Sequence, residues 1–187
     1  TGWRERMVGV SDDTLTFGLS AAAPLAMLEH RLADTKDGDL IEHCPALPGV
    51  MQHISHKIAD HGGTALIIDY GDWQSLGDTL QALSSHEKAD PLAEPGTADL
   101  TAHVDFAEIA SNAAPAKFSR LTPQGVFLER LGITQRAQKL ATRLQGAALE
   151  THVKAHRRLT HPAEMGDLFK VISIYPVSAT PPPGLEP

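Results

Sequence analysis

Apolar positions fall in short blocks whose spacing shifts along the chain. Trp3 to Val10 and Thr14 to Leu19 are short, apolar-rich stretches on either side of Ser11-Asp12-Asp13, a turn-forming segment, and they predict a β-hairpin. Beyond Pro24, the positions Leu25, Leu28 and Leu32 recur at helical spacing until Lys36-Asp37-Gly38 ends the pattern. Asp39 to Cys44 reads as a short strand closed by Pro45. Val50, Ile54 and Ile58 then repeat every four residues, which predicts a helix from Ala46 to His61 with Gly62 terminating it.

Thr64 to Ile68 is a continuous apolar run without alternation, the pattern of a strand covered on both faces in the centre of an α/β sheet. It breaks off at Asp69-Tyr70-Gly71. From Asp72 to about Leu100 the chain is rich in Gly, Pro, Asp and Ser and reads as a long loop, a feature that is uncommon in compact domains unless functional or mobile. Asp105 followed by Glu108 has capping-box spacing, so a helix is expected from Phe106 to Asn112. Lys117 to Leu121 reads as a strand. Thr122-Pro123 reads as the start of a helix that carries Phe127, Leu128 and Leu131 and stops at Gly132. Thr134 is placed to cap the next, through Ala137, Leu140 and Leu144 to Gly146, and a third is expected over Ala147 to Leu159. Leu168 to Ile174 is a partly alternating strand, expected nearer a sheet edge. Pro181-Pro182-Pro183-Gly184 marks a tail expected to be extended or disordered, so that the core ends near Tyr175.

Strand–helix–strand order with one doubly covered strand puts the chain in the α/β class. The inventory has too few parallel strands for a complete doubly wound sheet, and no G-x-G-x-x-G turn follows a first strand. With 187 residues, one domain is the default and roughly 70% of the unfolded surface is expected to be buried. The balance of 16 Lys+Arg against 23 Asp+Glu, with no clustered basic face, argues against a nucleic-acid partner. Apolar runs are too short to span a bilayer. A lone Cys44 forms no internal disulfide and points to a reducing compartment. The opening Thr-Gly-Trp, with no Met or leader, suggests a segment of a longer protein.

Asp69-Tyr70-Gly71 is the strongest chemical candidate, because ligands of open α/β sheets bind outside the carboxyl ends of strands. Asp69 either faces that crevice or caps the following loop. Glu42 either orients a cationic group, since a carboxylate accepts paired hydrogen bonds from a guanidinium, or is a solvated residue on an edge strand. In the extended segment Asp99-Leu100-Thr101-Ala102-His103-Val104-Asp105 the polar members share one side, with His103 either a proton-transfer group or a structural histidine. His53 with His56, and His152 with His156, share helix faces, but neither pair shows H-E-x-x-H or a third ligand, and the second sits among Lys154, Arg157 and Arg158, so no metal is expected. Cys44, ahead of Pro45 and without a base, is expected to be a small buried residue.

Several segments, taken in order, resemble the MidA-like family of S-adenosylmethionine-dependent methyltransferases. They are Trp3-Arg4-Glu5-Arg6-Met7-Val8, Gly62 to Gly71, Gly77-Asp78-Thr79-Leu80-Gln81-Ala82, Asp90-Pro91-Leu92 with Pro95-Gly96, Asp99 to Phe106, Thr122-Pro123-Gln124-Gly125 and Met165 to Val171. The resemblance implies the carboxy-terminal half of a class I, Rossmann-like methyltransferase sheet with a β-hairpin and helical insertions. Residues 1–175 would form that half and 176–187 a Pro-rich tail. S-adenosylmethionine would be held mainly by an upstream half, leaving this chain inactive alone. It further implies methyl transfer to a protein arginine, tied to respiratory complex I assembly, in the bacterial cytoplasm or the mitochondrial matrix. Asp69 and Glu42 are then candidates to hold the guanidinium, and Tyr70 and His103 to line the pocket or relay the proton. Gly71, Asp78, Asp99 and Asp105 would contact substrate. The alternative is a non-catalytic docking module for an assembly partner, using the long loop and the basic helix near Arg157.

Overall fold

The computed structural model describes residues 2–187. Its strands, in chain order, are β1 (Arg6–Ser11), β2 (Thr14–Leu19), β3 (Ala65–Asp72), β4 (Gln81–Ser84), β5 (Glu87–Ala89), β6 (Asp99–Thr101), β7 (Val104–Asp105), β8 (Lys117–Phe118), β9 (Thr122–Pro123) and β10 (Phe169–Tyr175). The α-helices are α1 (Leu47–His61), α2 (Phe106–Ser111), α3 (Gln124–Arg130), α4 (Ile133–Ala141) and α5 (Gly146–Thr160). These elements form two compact units. One comprises the stretch up to Glu42 together with Leu76–Ala102, and the other comprises His43–Ser75 with His103–Pro187.

In the first unit β1 and β2 form the expected hairpin, with Ser11 opposite Thr14. Asp12 and Asp13 both take positive φ, 49° and 59°, as a two-residue turn matched to strand twist requires. The register puts Val8, Val10, Leu15, Phe17 and Leu19 on one face. The segment after Pro24 is a 3₁₀ helix, Ala26–Ala33, rather than an α-helix. It buries Leu28 and Arg31, and the Arg31 guanidinium meets Asp34 at 3.0 Å. Asp39 to Cys44 forms no strand. It is irregular chain held by side-chain and backbone ties, the Gly77 N–H donating to the Leu40 carbonyl at 2.8 Å. The expected long loop instead contains an antiparallel sheet ordered β5-β4-β6, whose strands of three or four residues are too short to show a periodicity.

The second unit is built on a sheet ordered β7-β3-β10-β8, with β9 also paired to β10. β3 runs antiparallel to β10, with Tyr70 opposite Phe169 and Ala65 opposite Ile174. One face carries Ala65, Ile67, Ile172 and Ile174 and packs on Met51 and Ile58 of α1 and on Phe106 and Ile109 of α2. Each of these large side chains contributes about 1.5–3 kcal/mol when fully buried. On the other face Phe127 of α3 and Leu185 cover Val171. Over β3 that face is bare, with Leu66 48% and Ile68 45% exposed. The expectation of a doubly covered β3 and a more peripheral β10 is therefore reversed. Val171 through Tyr175 are all buried, and β10 has partners on both edges.

Helix starts differ from expectation where a side chain found another partner. The Thr122 hydroxyl donates to the Arg120 carbonyl, and Thr122-Pro123 is β9, so α3 begins at Gln124. Left-handed Gly132 (φ 84°) precedes α4, and the Thr134 hydroxyl donates to Glu129 at 2.6 Å instead of capping. Lys117 to Leu121 is strand only over Lys117–Phe118. The Pro-rich end forms no helix or strand, yet Leu185 is buried in the core and Arg130 pairs with Glu186 at 2.6 Å. Cys44 is exposed rather than buried. Among the described residues no helix is long and apolar enough to cross a membrane, and no three His, Cys, Asp or Glu side chains gather as metal ligands would.

Candidate active site

In the second unit, polar and aromatic groups collect at the carboxyl end of β3. Gly71 pairs in parallel with Val104 of β7, and any Cβ there would collide with the Val104 backbone, so this approach requires glycine. The tight pairing sets the start of α2. Asp105 is its N-cap and accepts from the Glu108 N–H at 3.0 Å through one oxygen and from the Ser75 N–H at 2.8 Å through the other. The Ala107 N–H donates to the Trp73 carbonyl at 2.7 Å, fixing the same helix end to the chain leaving β3.

Asp69 is half-buried and accepts the Tyr70 N–H at 2.8 Å. Its register partner Lys170 turns its ammonium to the Asp167 carbonyl instead. Most of the Asp69 acceptor capacity therefore has no partner among the described residues. Tyr70 stacks edge-on with His103, centroids 5.5 Å apart, and with Phe169 at 5.3 Å. Such contacts fix ring orientation more than they add stability. Of the sequence candidates, Asp69, Tyr70, Gly71, His103 and Asp105 all belong to this unit.

Glu42, Asp78 and Asp99 belong to the first unit. Glu42 accepts the Thr79 N–H at 2.9 Å and the Thr79 hydroxyl, so its carboxylate ties two stretches of the unit. Asp78 binds Arg6 through both oxygens at 2.6 and 2.8 Å, and Arg6 also lies 4.5 Å over the Phe17 ring. The hydrogen bond from Arg6 outweighs the opposing effect of desolvation and holds the Asp78 carboxyl below its ordinary value, while the Arg6 guanidinium is raised. Asp99 stands exposed on β6.

A pair that the sequence does not reveal also lies in the second unit. His43 Nδ1 is hydrogen-bonded to Glu108 Oε1 in the first turn of α2, with the two side chains 16% and 23% exposed. Glu108 is legible as a capping-box residue, but its partner stands 65 positions away. The histidine pair of α5 is engaged structurally, His152 Nε2 with the Ala137 carbonyl and His156 Nε2 with the Thr134 hydroxyl, and on α1 His56 Nδ1 meets the Gln52 carbonyl.

A nucleotide-like sulfonium cofactor needs a glycine-rich turn between a strand and a helix to approach the backbone. The described residues do not fit that requirement: α1 follows Pro45 in irregular chain, and Gly71 is occupied by Val104. What they do bring together in the second unit is a carboxylate, a phenol and two imidazoles.

Two crystal structures of Burkholderia thailandensis proteins share this fold, each with a TM-score of 0.75. One is 31% identical, and the chain covers 49% of it. The other, bound to S-adenosyl-homocysteine, is 30% identical, and the chain covers 47% of it. Each comparison takes in 93% of the present chain. The fold is thus that of the Rossmann-like α/β methyltransferases. Residues 1–124 match the family described as "Putative S-adenosyl-L-methionine-dependent methyltransferase", and the chain belongs to that family. Among curated relatives, protein arginine methyltransferase NDUFAF7, mitochondrial, is 35% identical over 181 residues in Rattus norvegicus and 32% over 188 residues in Xenopus laevis. These matches take in 94% and 95% of the chain, which spans 41% of the length of each relative.

Proposed function

We propose that this chain is the acceptor-side, carboxy-terminal half of an S-adenosylmethionine-dependent enzyme that methylates a protein arginine, and that the cofactor is held by an upstream half. The observation that carries this reading is Asp69, a half-buried carboxylate at the carboxyl end of β3 with unused acceptor capacity and an oriented phenol beside it. A carboxylate so placed binds a guanidinium by charge-assisted hydrogen bonds and holds one nitrogen in line for transfer. Support comes from the names of the relatives and from the bare Leu66 and Ile68 side of β3, which leaves room for further sheet and helix from the rest of such a protein. Tyr70 and His103 line the pocket, and Gly71 and Asp105 shape it. Glu42 and Asp78 act within the first unit, Glu42 holding Thr79 and Asp78 holding Arg6. A link to respiratory complex I, and a mitochondrial or bacterial cytoplasmic setting, follow from the family resemblance.

The test is Asp69→Asn in a protein that joins this chain to the upstream half its relatives carry. Transfer to a guanidine-bearing peptide should fall roughly 10- to 100-fold, the loss expected for one charged hydrogen-bonding partner, with cofactor affinity and thermal midpoint unchanged. Unchanged turnover removes Asp69 from the site.

A second reading, a docking module without catalysis, draws on the exposed hairpin face of Val8, Val10, Phe17 and Leu19 and on α4 and α5, which bury no residue. Calorimetry of the joined protein with S-adenosylmethionine separates the two. Binding supports the enzyme, and no heat together with retained partner binding supports the module.

A further inference from the structure

We propose that His43, aligned by Glu108, takes the proton released when an acceptor nitrogen at the carboxyl end of β3 is methylated; the proposal rests on the methyltransferase reading and adds a residue to it. A carboxylate only accepts hydrogen bonds, so Glu108 Oε1 on Nδ1 calls for the ring proton on Nδ1, and in the neutral ring Nε2 is then the bare acceptor. Nε2 has no partner among the described residues. This is the arrangement by which a positioned carboxylate prepares an imidazole base on other folds.

The support behind the pair is rigid. Glu108 is held at the first turn of α2 by the Asp105 cap, Asp105 in turn holds the Ser75 N–H, and the Ala107 N–H is tied to Trp73 just past β3. The dyad is therefore anchored to the strand end that carries Asp69 and Tyr70. It is shielded from bulk water without being sealed in the core, as an exchanging base requires. Glu42 and His43 are sequence neighbours with separate tasks: Glu42 secures Thr79, and His43 meets α2.

The chemistry balances. A guanidinium nitrogen forms its bond to the methyl carbon of a sulfonium donor while the carbon–sulfur bond breaks and its electron pair returns to sulfur. The N–H proton passes to His43 Nε2 and from there to water. Glu108 touches no reacting atom and acts as a positioning residue.

The experiment uses the joined protein, with transfer to a guanidine-bearing peptide measured across pH, calorimetry with S-adenosylmethionine, and thermal midpoints. His43→Asn keeps an amide donor for Glu108 but has no Nε2, and it should lower kcat roughly 100-fold with KM, cofactor affinity and midpoint unchanged. Glu108→Gln should lower kcat less and alter the pH profile, with partial recovery in Glu108→Asp. Long-range ¹H–¹⁵N spectra of the 187-residue chain should show His43 protonated at Nδ1 and should lose that preference in Glu108→Gln. Undiminished kcat in His43→Asn, alongside loss in Asp69→Asn, overturns the role of His43 and leaves the methyltransferase reading intact. A wild-type joined protein that neither binds cofactor nor transfers methyl overturns both. A His43 ring protonated at Nε2 overturns the alignment by Glu108 whatever the activity.

Discussion

β3 and β10 lie side by side with matching apolar content, yet their surroundings differ. β10 is paired from Phe169 to Ile174 with β3, and its other edge is filled by β8, β9 and the exchange between Ser119 and Ser173, in which each residue accepts from the other's N–H at 2.9 Å. Helices lie over both its faces. β3 has one covered face, and among the described residues its outer edge pairs only at Gly71 and Asp72 with β7. An apolar run records where a strand is buried in the protein that selected it, and Leu66 and Ile68 have such a record without the cover.

The contrast is broken or sharpened most strongly by paired core substitutions. Ile172→Ala on β10 should destabilise the chain by about 2–5 kcal/mol in urea unfolding, because it leaves a cavity in a sealed layer. Ile68→Thr on β3 keeps the branched shape suited to a strand and should cost less than about 1 kcal/mol. Equal costs would mean that Ile68 is covered, and the contrast would fail. If the costs become equal only in the joined protein, the upstream half provides the cover.

Hydrogen exchange gives a smaller, more local readout. Alternate amides of β3 between Ala65 and Tyr70 should exchange at rates near those of open chain, while the amides of Val171 to Ile174 wait for global unfolding. Slow exchange throughout β3 would show an edge partner in solution.

The smallest effect lies outside this sheet and serves as a control. The Asp78 carboxyl is lowered in the folded state, so its contribution is complete above the unfolded value near ~4 and is lost as pH falls through the lower folded value. Asp78 is half exposed, so the Arg6 pair is worth on the order of 0–1 kcal/mol. The midpoint advantage of wild type over Arg6→Gln should be visible at neutral pH and vanish in strong acid, with the difference between β3 and β10 unaltered.

Elements set by local chemistry were legible. The Asp12-Asp13 turn, the i+4 repeat of α1 with Gly62 behind it, the Asp105 cap and the β3 and β10 runs all follow from neighbours in sequence. Elements set by distant contacts were not. β4 to β6 are too short to announce themselves, Thr122 and Thr134 chose partners other than helix amides, and Leu185 is buried because Phe127 and Val171 offer it a site that a Pro-rich composition does not foretell. At the candidate site, the position of Asp69 at the end of a strand was legible from its place after an apolar run. The His43–Glu108 pair and the Tyr70–His103 stacking depend on how the chain folds back on itself.

The antiparallel register also sets a timetable. Tyr70 meets Phe169 only after about a hundred further residues have been made, a delay of roughly five to twenty seconds at ribosomal speed. For that interval the nascent segment Ala65–Ile68 is a sticky ribbon without a mate. The charge of Asp69 at one end and the Gly62-Gly63 break at the other act as gatekeepers against premature association. The Asp69 carboxylate at the end of β3 thus guards its own strand while the chain is being made.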